Sequence, residues 1–141
     1  MNIYADSSFI VSRYVPQQFS QEVDRRMLTR PGIFLTPFHR AEITHAIFRQ
    51  VFRQRLTLVD AQLAYQDFEK DCAMGVWMQV GQPILTLTTC VELGRRHTPK
   101  IGVRSLDSLH VAAALELKAD RFWTFDDRQR QLAEAEGLVT T

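Results

Sequence analysis

The sequence predicts an α/β fold in which short parallel strands are flanked by helices. Short apolar segments with strand character alternate along the chain with longer segments of helical periodicity. Parallel strands require a crossover connection, which is usually a helix. Of the 141 residues, 45% are hydrophobic, which is enough for one buried core. Because this length is typical of one domain, we expect residues 1–141 to form a single domain.

About four strands are expected. Asn2–Ala5 alternates polar and apolar residues and ends at Asp6. Residues 33–36 and 121–125 are apolar runs typical of buried strands, and residues 138–140 are a short candidate for a last strand. Helices are expected between these strands over residues 7–14, 20–28, 37–55, 58–74, 83–96, 106–117 and 127–136.

Several residues mark where these helices begin and end. Thr36 can cap the third helix, with Pro37 at its first position. Ser105 is predicted to cap the sixth helix, and Gly137 to end the last one. The fifth helix is predicted to stop before Pro99, because proline disrupts a helix interior.

Charge and composition exclude several classes of protein. The net charge of +1 gives no overall basic field, although Arg49, Arg53 and Arg55 cluster. A solvated helix face is the favoured interpretation of that cluster. Two cysteines are too few for a disulfide framework, and no apolar run approaches the ~20 residues of a membrane span. We therefore expect a cytoplasmic protein that does not enter a membrane.

Four acidic residues from distant segments are the candidate catalytic residues. Asp6 ends the first predicted strand and Asp126 follows the third, and ligands of parallel sheets bind at the carboxyl ends of strands. Glu42 and Asp107 lie in the first two turns of helices that follow strands or loops at that edge. The four carboxylates are therefore expected to converge.

Converging carboxylates need a cation, and a site of oxygen ligands alone favours Mg²⁺ or Mn²⁺. Such an ion suits phosphodiester hydrolysis. Each acid also has a structural interpretation: Asp107 can complement a helix dipole, Asp126 can be an N-cap, and Glu42 can lie on a surface. His39 and His45 lack the spacing of a zinc-protease motif around Glu42, and we expect them to be outward or boundary residues.

Four motifs resemble those of PIN-domain nucleases, especially the VapC-like toxins of toxin–antitoxin pairs. They are Ile3-Tyr4-Ala5-Asp6-Ser7-Ser8, Thr36-Pro37 with Glu42, residues 104–114 around Asp107, and Thr124-Phe125-Asp126. The resemblance covers nearly the whole chain. It implies a PIN-like three-layer sandwich with a short central parallel sheet of about four strands.

The resemblance also implies a function and roles for single residues. It implies a Mg²⁺-dependent endoribonuclease in which Asp6 and Asp107 contact the metal directly. Glu42 and Asp126 would support the site, with Asp127 a minority alternative to Asp126. The candidates for supporting roles around these acids are Ser8, Arg104, His110, Thr124 and Asp127.

The resemblance further implies RNA as substrate, an antitoxin protein as partner, and a homodimer. One alternative is a non-catalytic or housekeeping RNA-binding or interaction domain with the same fold. A receiver-like phospho-accepting domain is less favoured, because no lysine follows a later strand suitably. A phosphate-loop hydrolase is excluded, because the chain lacks Gly-x-x-x-x-Gly-Lys. The RNA target and the number of metal ions are left open.

Overall fold

The chain folds into two compact units in the computed structural model, which describes residues 1–141. The first unit joins Met1–Asp6 to Gly81–Thr141, and the second unit is Ser7–Val80. No helix is both long enough and apolar enough to cross a membrane. Whether 1–141 behaves as one domain stays a prediction.

The four strands are short and the seven helices account for most of the chain. The first unit contains β1 (Asn2–Ala5), α5 (Thr86–Ile101), α6 (Ser105–Glu116), β4 (Arg121–Trp123) and α7 (Asp127–Ala135). The second unit contains α1 (Ser7–Val11), α2 (Ser20–Met27), β2 (Gly32–Leu35), α3 (Pro37–Phe52), α4 (Leu58–Ala73) and β3 (Met78–Gln79).

In the first unit, β1 and β4 pair in parallel, with Ala5 opposite Trp123. The backbone N–H of Asp6 donates to the carbonyl of Trp123 at 3.0 Å, which carries the pairing one residue beyond β1. Tyr4 and Phe122 stack in the interior with ring centroids 5.7 Å apart. This pairing brings the residues that follow the two strands to the same edge.

Helix α6 packs against α5 in the most extensive contact between two elements of the first unit. Ala112, Ala113 and Ala114 are fully buried. Substitution of a larger side chain there would overpack the interface.

In the second unit, β2 and β3 pair in parallel, with Phe34 opposite Met78. Helices α3 and α4 bury Ile43, Ile47 and Phe68 completely. Strand β3 was not predicted, since two residues are too short for a periodic pattern. The predicted last strand at 138–140 is reduced to a single parallel bridge between Val139 and Arg121.

The predicted stop of α5 before Pro99 and the predicted cap of α6 at Ser105 were both wrong. Helix α5 continues through Pro99 to Ile101, and ends at Gly102, whose φ of 68° is left-handed. A proline in the last turn removes only one helical hydrogen bond, and the glycine provides the real stop. Ser105 is the first residue of α6 instead of its cap, which is Arg104 without a side-chain cap bond.

Candidate active site

Asp6 lies where β1 ends, and its carboxylate is almost completely buried, with 6% of the residue exposed. The Thr124 hydroxyl donates to Asp6 Oδ2 at 2.7 Å. The same hydroxyl accepts from the backbone N–H of Asp126 at 3.0 Å. Thr124 is itself buried, and the two contacts together fix its hydroxyl proton toward Asp6. Asp6 is therefore held as a hydrogen-bonded, oriented carboxylate.

Asp126 is the N-cap of α7, with Oδ1 accepting from the backbone N–H of Gln129 at 2.8 Å. The side-chain Nε2 of Gln129 donates to the carbonyl of Asp107 at 3.1 Å. Gln129 is only 1% exposed, and its Oε1 has no hydrogen-bond partner. A continuous series of hydrogen bonds thus connects Asp6, Thr124, Asp126, Gln129 and Asp107.

We call Asp6, Asp107 and Asp126 the acid cluster. All three come from the first unit, and each stands where a strand ends or a helix begins. The structure thus links three of the four predicted acids through shared hydrogen-bond partners.

Arg104 brings a positive charge to the acid cluster. Its Nε donates to Asp107 Oδ2 at 3.0 Å, while the guanidinium remains largely exposed. This hydrogen bond and the negative charge of Asp107, with a smaller contribution from Asp126, raise the pKa of Arg104 above its ordinary value. An exposed guanidinium beside two carboxylates can also contact a phosphate group.

Glu42 lies in the second unit, on the second turn of α3, and is half-buried. The Ser7 hydroxyl donates to Glu42 Oε1 at 2.8 Å, within the same unit. The helix start that positions Glu42 is the one that the sequence predicts, with Thr36 as N-cap and Pro37 at the first position. Glu42 is therefore an oriented acid, and its membership of the catalytic site stays a prediction.

The other predicted supporting residues differ in their surroundings. His110 is buried, and its Nδ1 lies 2.9 Å from the Tyr4 hydroxyl. Ser8 is exposed at the start of α1, whereas its neighbour Ser7 is buried. Asp127 is exposed and pairs with Arg130 at 2.6 Å, as a surface residue of α7 does.

His39 was expected at an outward or boundary position and is instead fully buried. It forms a capping box with Thr36: the hydroxyl of Thr36 accepts from the His39 backbone N–H, and His39 Nδ1 accepts from the Thr36 backbone N–H at 3.0 Å. A capping box can be recognised in a sequence when Ser or Thr is followed, three residues later, by a side chain that can accept a hydrogen bond. His39 stands in that position relative to Thr36. His45 is exposed, as expected.

Two residues with contacts to the candidate acids were missed. Ser7 was seen only as part of a motif, and Gln129 was not considered. Spacing gives a partial signal for Gln129, because it lies three residues after the Asp126 N-cap, where a cap bond forms. Nothing in the sequence indicates its contact with the Asp107 carbonyl.

No group of three or more His, Cys, Asp or Glu side chains is arranged to hold a metal ion. The chemistry of the acid cluster nevertheless fits a hard cation, because its donors are carboxylate oxygens and a hydroxyl. The orphaned Oε1 of Gln129 also lies beside this network as a buried acceptor that lacks a donor. The chemical type of these donors therefore suits a hydrated Mg²⁺ or Mn²⁺ ion.

Both the sequence and the fold are similar to those of known proteins. The family model of the PIN domain matches residues 3–135, which is nearly the whole chain. This chain belongs to the PIN-domain family. The predicted resemblance is thereby confirmed, together with the α/β fold of four short parallel strands and seven helices.

Several solved structures share this architecture. VapC20 of Mycobacterium tuberculosis, a toxin that cleaves the sarcin–ricin loop, superimposes with a TM-score of 0.71 at 15% identity, over 99% of this chain and 98% of that one. FitAcB from Neisseria gonorrhoeae gives 0.69 at 15% identity, over 99% and 96% of the two chains.

VapBC2 from Rickettsia felis, bound to a DNA fragment from its promoter, gives a TM-score of 0.66 at 12% identity over 100% and 98% of the two chains. No protein curated for function matches the sequence significantly. At these identities the structural similarities establish the fold, and the fold alone.

Proposed function

We propose that this PIN domain is a Mg²⁺- or Mn²⁺-dependent endoribonuclease and the toxin of a toxin–antitoxin pair. The observation that carries the proposal is the hydrogen-bonded series that joins Asp6, Thr124, Asp126, Gln129 and Asp107. Membership of the PIN family, and a fold shared with VapC20, supports nuclease chemistry. RNA as substrate comes from family resemblance.

Asp6 and Asp107 are proposed as the direct ligands of the metal, with Asp126 and Glu42 in support. The bound ion would activate water, polarise the phosphoryl group and stabilise the leaving oxygen. Mg²⁺ retains several waters, which suits a site with few direct protein ligands.

The chain's own residues orient the reaction. Thr124 holds one oxygen of Asp6 by its hydroxyl, so the carboxylate has one preferred direction. Arg104 offsets part of the negative charge of Asp107 and is exposed enough to contact a phosphate oxygen. Hydrolysis adds the oxygen of water to phosphorus and breaks one P–O ester bond. A nearby carboxylate accepts the proton of the attacking water, and the leaving oxygen takes up a proton from solvent.

The deciding experiment is cleavage of a fluorophore–quencher RNA with Mg²⁺, with Mn²⁺ and with EDTA. We expect cleavage with either ion and none with EDTA. Loss of residues that merely orient metal ligands costs 10–100-fold, so Asp6→Asn and Asp107→Asn should each lower the rate by more than about 100-fold. Survival of cleavage in both variants would remove the proposed site.

Asp127→Asn is the matched control, because Asp127 is the exposed neighbour of Asp126 and pairs with Arg130. It should cleave like the wild type, whereas Asp126→Asn should be impaired. The opposite result would assign the fourth acid to Asp127. A DNA strand of the same sequence tests the RNA preference, and equal cleavage of DNA and RNA would contradict it.

The partner proposals can be tested separately. Two structural neighbours are toxin–antitoxin complexes, FitAcB and VapBC2, which supports an antitoxin as partner of this chain. We expect a protein encoded beside this chain to co-purify with it and to inhibit cleavage. The proposed homodimer predicts twice the monomer mass in multi-angle light scattering, and a monomer at micromolar concentration would contradict it.

A further inference from the structure

A basic cleft lies in the second unit where α3 ends. It has a volume of about 460 Å³ and is lined by three glutamines, two arginines and three apolar residues: Val15, Pro16, Gln17, Gln18, Gln50, Arg53, Arg55 and Leu56. No aspartate or glutamate lines it. The cleft therefore combines two full positive charges with amide groups that can donate hydrogen bonds.

The arginines of this cleft differ from most others in the chain, because no acidic side chain neutralises them. Eight arginines form ion pairs with carboxylates: Arg13, Arg25, Arg26, Arg40, Arg95, Arg96, Arg104 and Arg130. Arg53 and Arg55 have no such partner and are exposed. Their charge is available to an external anion.

The loop that carries these arginines has a defined conformation. The backbone N–H groups of Arg55 and Leu56 both donate to the carbonyl of Gln50, at 2.9 and 3.3 Å. Gln54 takes a left-handed φ of 57°, which turns the chain after α3. Arg53 at the helix end can interact favourably with the helix dipole, but Arg55 lies beyond the helix, where that effect falls off. The helix dipole can thus account for the positive charge of Arg53 but not for that of Arg55.

Phe52 adds an unpaired aromatic ring next to Arg53. The ring is 88% exposed, although it is the last residue of a helix that buries other apolar side chains. An exposed ring beside arginines suits a base of single-stranded nucleic acid, which stacks on an aromatic face while phosphates contact guanidinium groups. An acidic peptide would use the arginines but would need no exposed ring.

We propose that this cleft binds the sugar–phosphate backbone of single-stranded RNA, with Phe52 as a stacking surface for a base. The proposal rests on the proposed ribonuclease function and adds a second contact with the substrate. Gln50 follows Glu42 by eight residues on α3, which corresponds to about 12 Å along the helix. About four nucleotides at the ~3.4 Å helical spacing of one strand would cover that length.

Binding is tested with the Asp6→Asn protein, so that cleavage does not consume the probe. Fluorescence anisotropy of a labelled unstructured RNA of roughly 20 nucleotides is measured against salt concentration. Each phosphate contact on a single strand contributes ~0.7 to the slope of log K against log salt, so Arg53→Gln/Arg55→Gln should lower that slope by about 1.4. Phe52→Leu should weaken binding of this RNA and leave binding of an abasic strand unchanged.

Arg30→Gln/Lys118→Gln is the matched control, since it removes two exposed positive charges outside the cleft. If this control and the cleft variant lose the same slope, only net charge matters and the inference is wrong. Polyglutamate is the competing probe. Loss of polyglutamate binding equal to the loss of RNA binding, with no effect of Phe52→Leu on RNA, would assign the cleft to acidic polypeptides instead.

Kinetics separates this inference from the proposed function. With the wild-type acids present, Arg53→Gln/Arg55→Gln should raise KM for the long RNA and leave kcat unchanged. A short RNA of about two nucleotides, which is ~7 Å long at the same spacing, should be cleaved equally by both proteins, because it does not span the ~12 Å to the cleft. Absence of cleavage by every protein would overturn the ribonuclease proposal, while the anisotropy slopes would still decide whether the cleft binds RNA.

Discussion

At the scale of single residues, Gln129 contacts two members of the acid cluster, Asp107 and Asp126. Its backbone N–H contacts Asp126 and its side-chain amide contacts the carbonyl of Asp107, so one residue connects the starts of α6 and α7. It is buried, and buried side-chain polar atoms are in most cases hydrogen-bonded, as its Nε2 is here. We interpret Gln129 as a positioning residue for Asp107 and Asp126.

Gln129→Met keeps the approximate volume and removes the amide. It removes the donor to the part-buried Asp107 carbonyl, which should cost about 1 kcal/mol of unfolding free energy. If Gln129 positions the acids, the Mg²⁺ concentration for half-maximal cleavage should also rise. Urea denaturation and a Mg²⁺ titration of cleavage measure the two effects.

Gln131→Met is the control on the same helix, because Gln131 is exposed. It should match the wild type in both measurements. A Gln129→Met protein that is destabilised but has an unchanged Mg²⁺ requirement would reduce Gln129 to a purely structural residue.

The sequence was most informative about the individual residues of the candidate site. Asp6, Asp107, Asp126 and Thr124 were singled out, and the structure connects them through hydrogen bonds. Their signal is local, since each acid directly follows a strand or begins a helix. The contact of Gln129 with Asp107 joins two helices 22 residues apart. No periodicity or spacing rule predicts such a contact, because it depends on how the helices pack.

At the scale of elements, α3 is the helix that carries Glu42, the fourth candidate acid. Its N-cap Thr36 is fully buried and bonded to His39, and Glu42 follows in the next turn. Strong local signals predicted this helix start. The end of α5 was mispredicted, because the effect of Pro99 depends on its place within the last turn and Gly102 supplies the left-handed residue that ends the helix.

Thr36→Val should destabilise the protein by about 1 kcal/mol, the usual cost of losing an N-cap, and Thr36→Ser should preserve most of the cap. Because α3 carries Glu42, Thr36→Val should also reduce cleavage. Thermal or urea unfolding and the cleavage rate measure these effects.

Thr57→Val is the matched control, because Thr57 caps α4 through the backbone N–H of Asp60 and that helix carries none of the four acids. It should lower stability without lowering the cleavage rate of the folded protein. If both variants lost the same activity, the loss in Thr36→Val would reflect general destabilisation and not the position of Glu42.

At the scale of the whole molecule, the fold class and the family follow from the sequence, since the order of strands, helices and acids extends over nearly the entire chain. The pairing partners of β3 and Val139 do not follow from it, because strands of two residues or one residue carry no periodic pattern. The predicted single domain and the metal requirement both concern the folded molecule as a whole, and one experiment examines them.

A thermal melt with and without Mg²⁺ is that experiment. A ligand that binds only the folded state stabilises it by about 2.7 kcal/mol at 100 times its Kd. We therefore expect saturating Mg²⁺ to raise the Tm of the wild type and to leave Asp6→Asn unchanged. A single cooperative transition would agree with one domain over 1–141, and two resolved transitions would contradict it.

The Thr124 hydroxyl makes two hydrogen bonds, and together they restrict which residues can occupy this position. The hydroxyl donates to Asp6 and accepts from the Asp126 amide, so the position requires a hydroxyl and not merely a β-branched shape. Valine would preserve the shape but lose both bonds, whereas serine would retain them. Among PIN-fold chains that keep all four acids, the identity of this one residue should therefore separate hydrolytically competent members from those that retain only the scaffold.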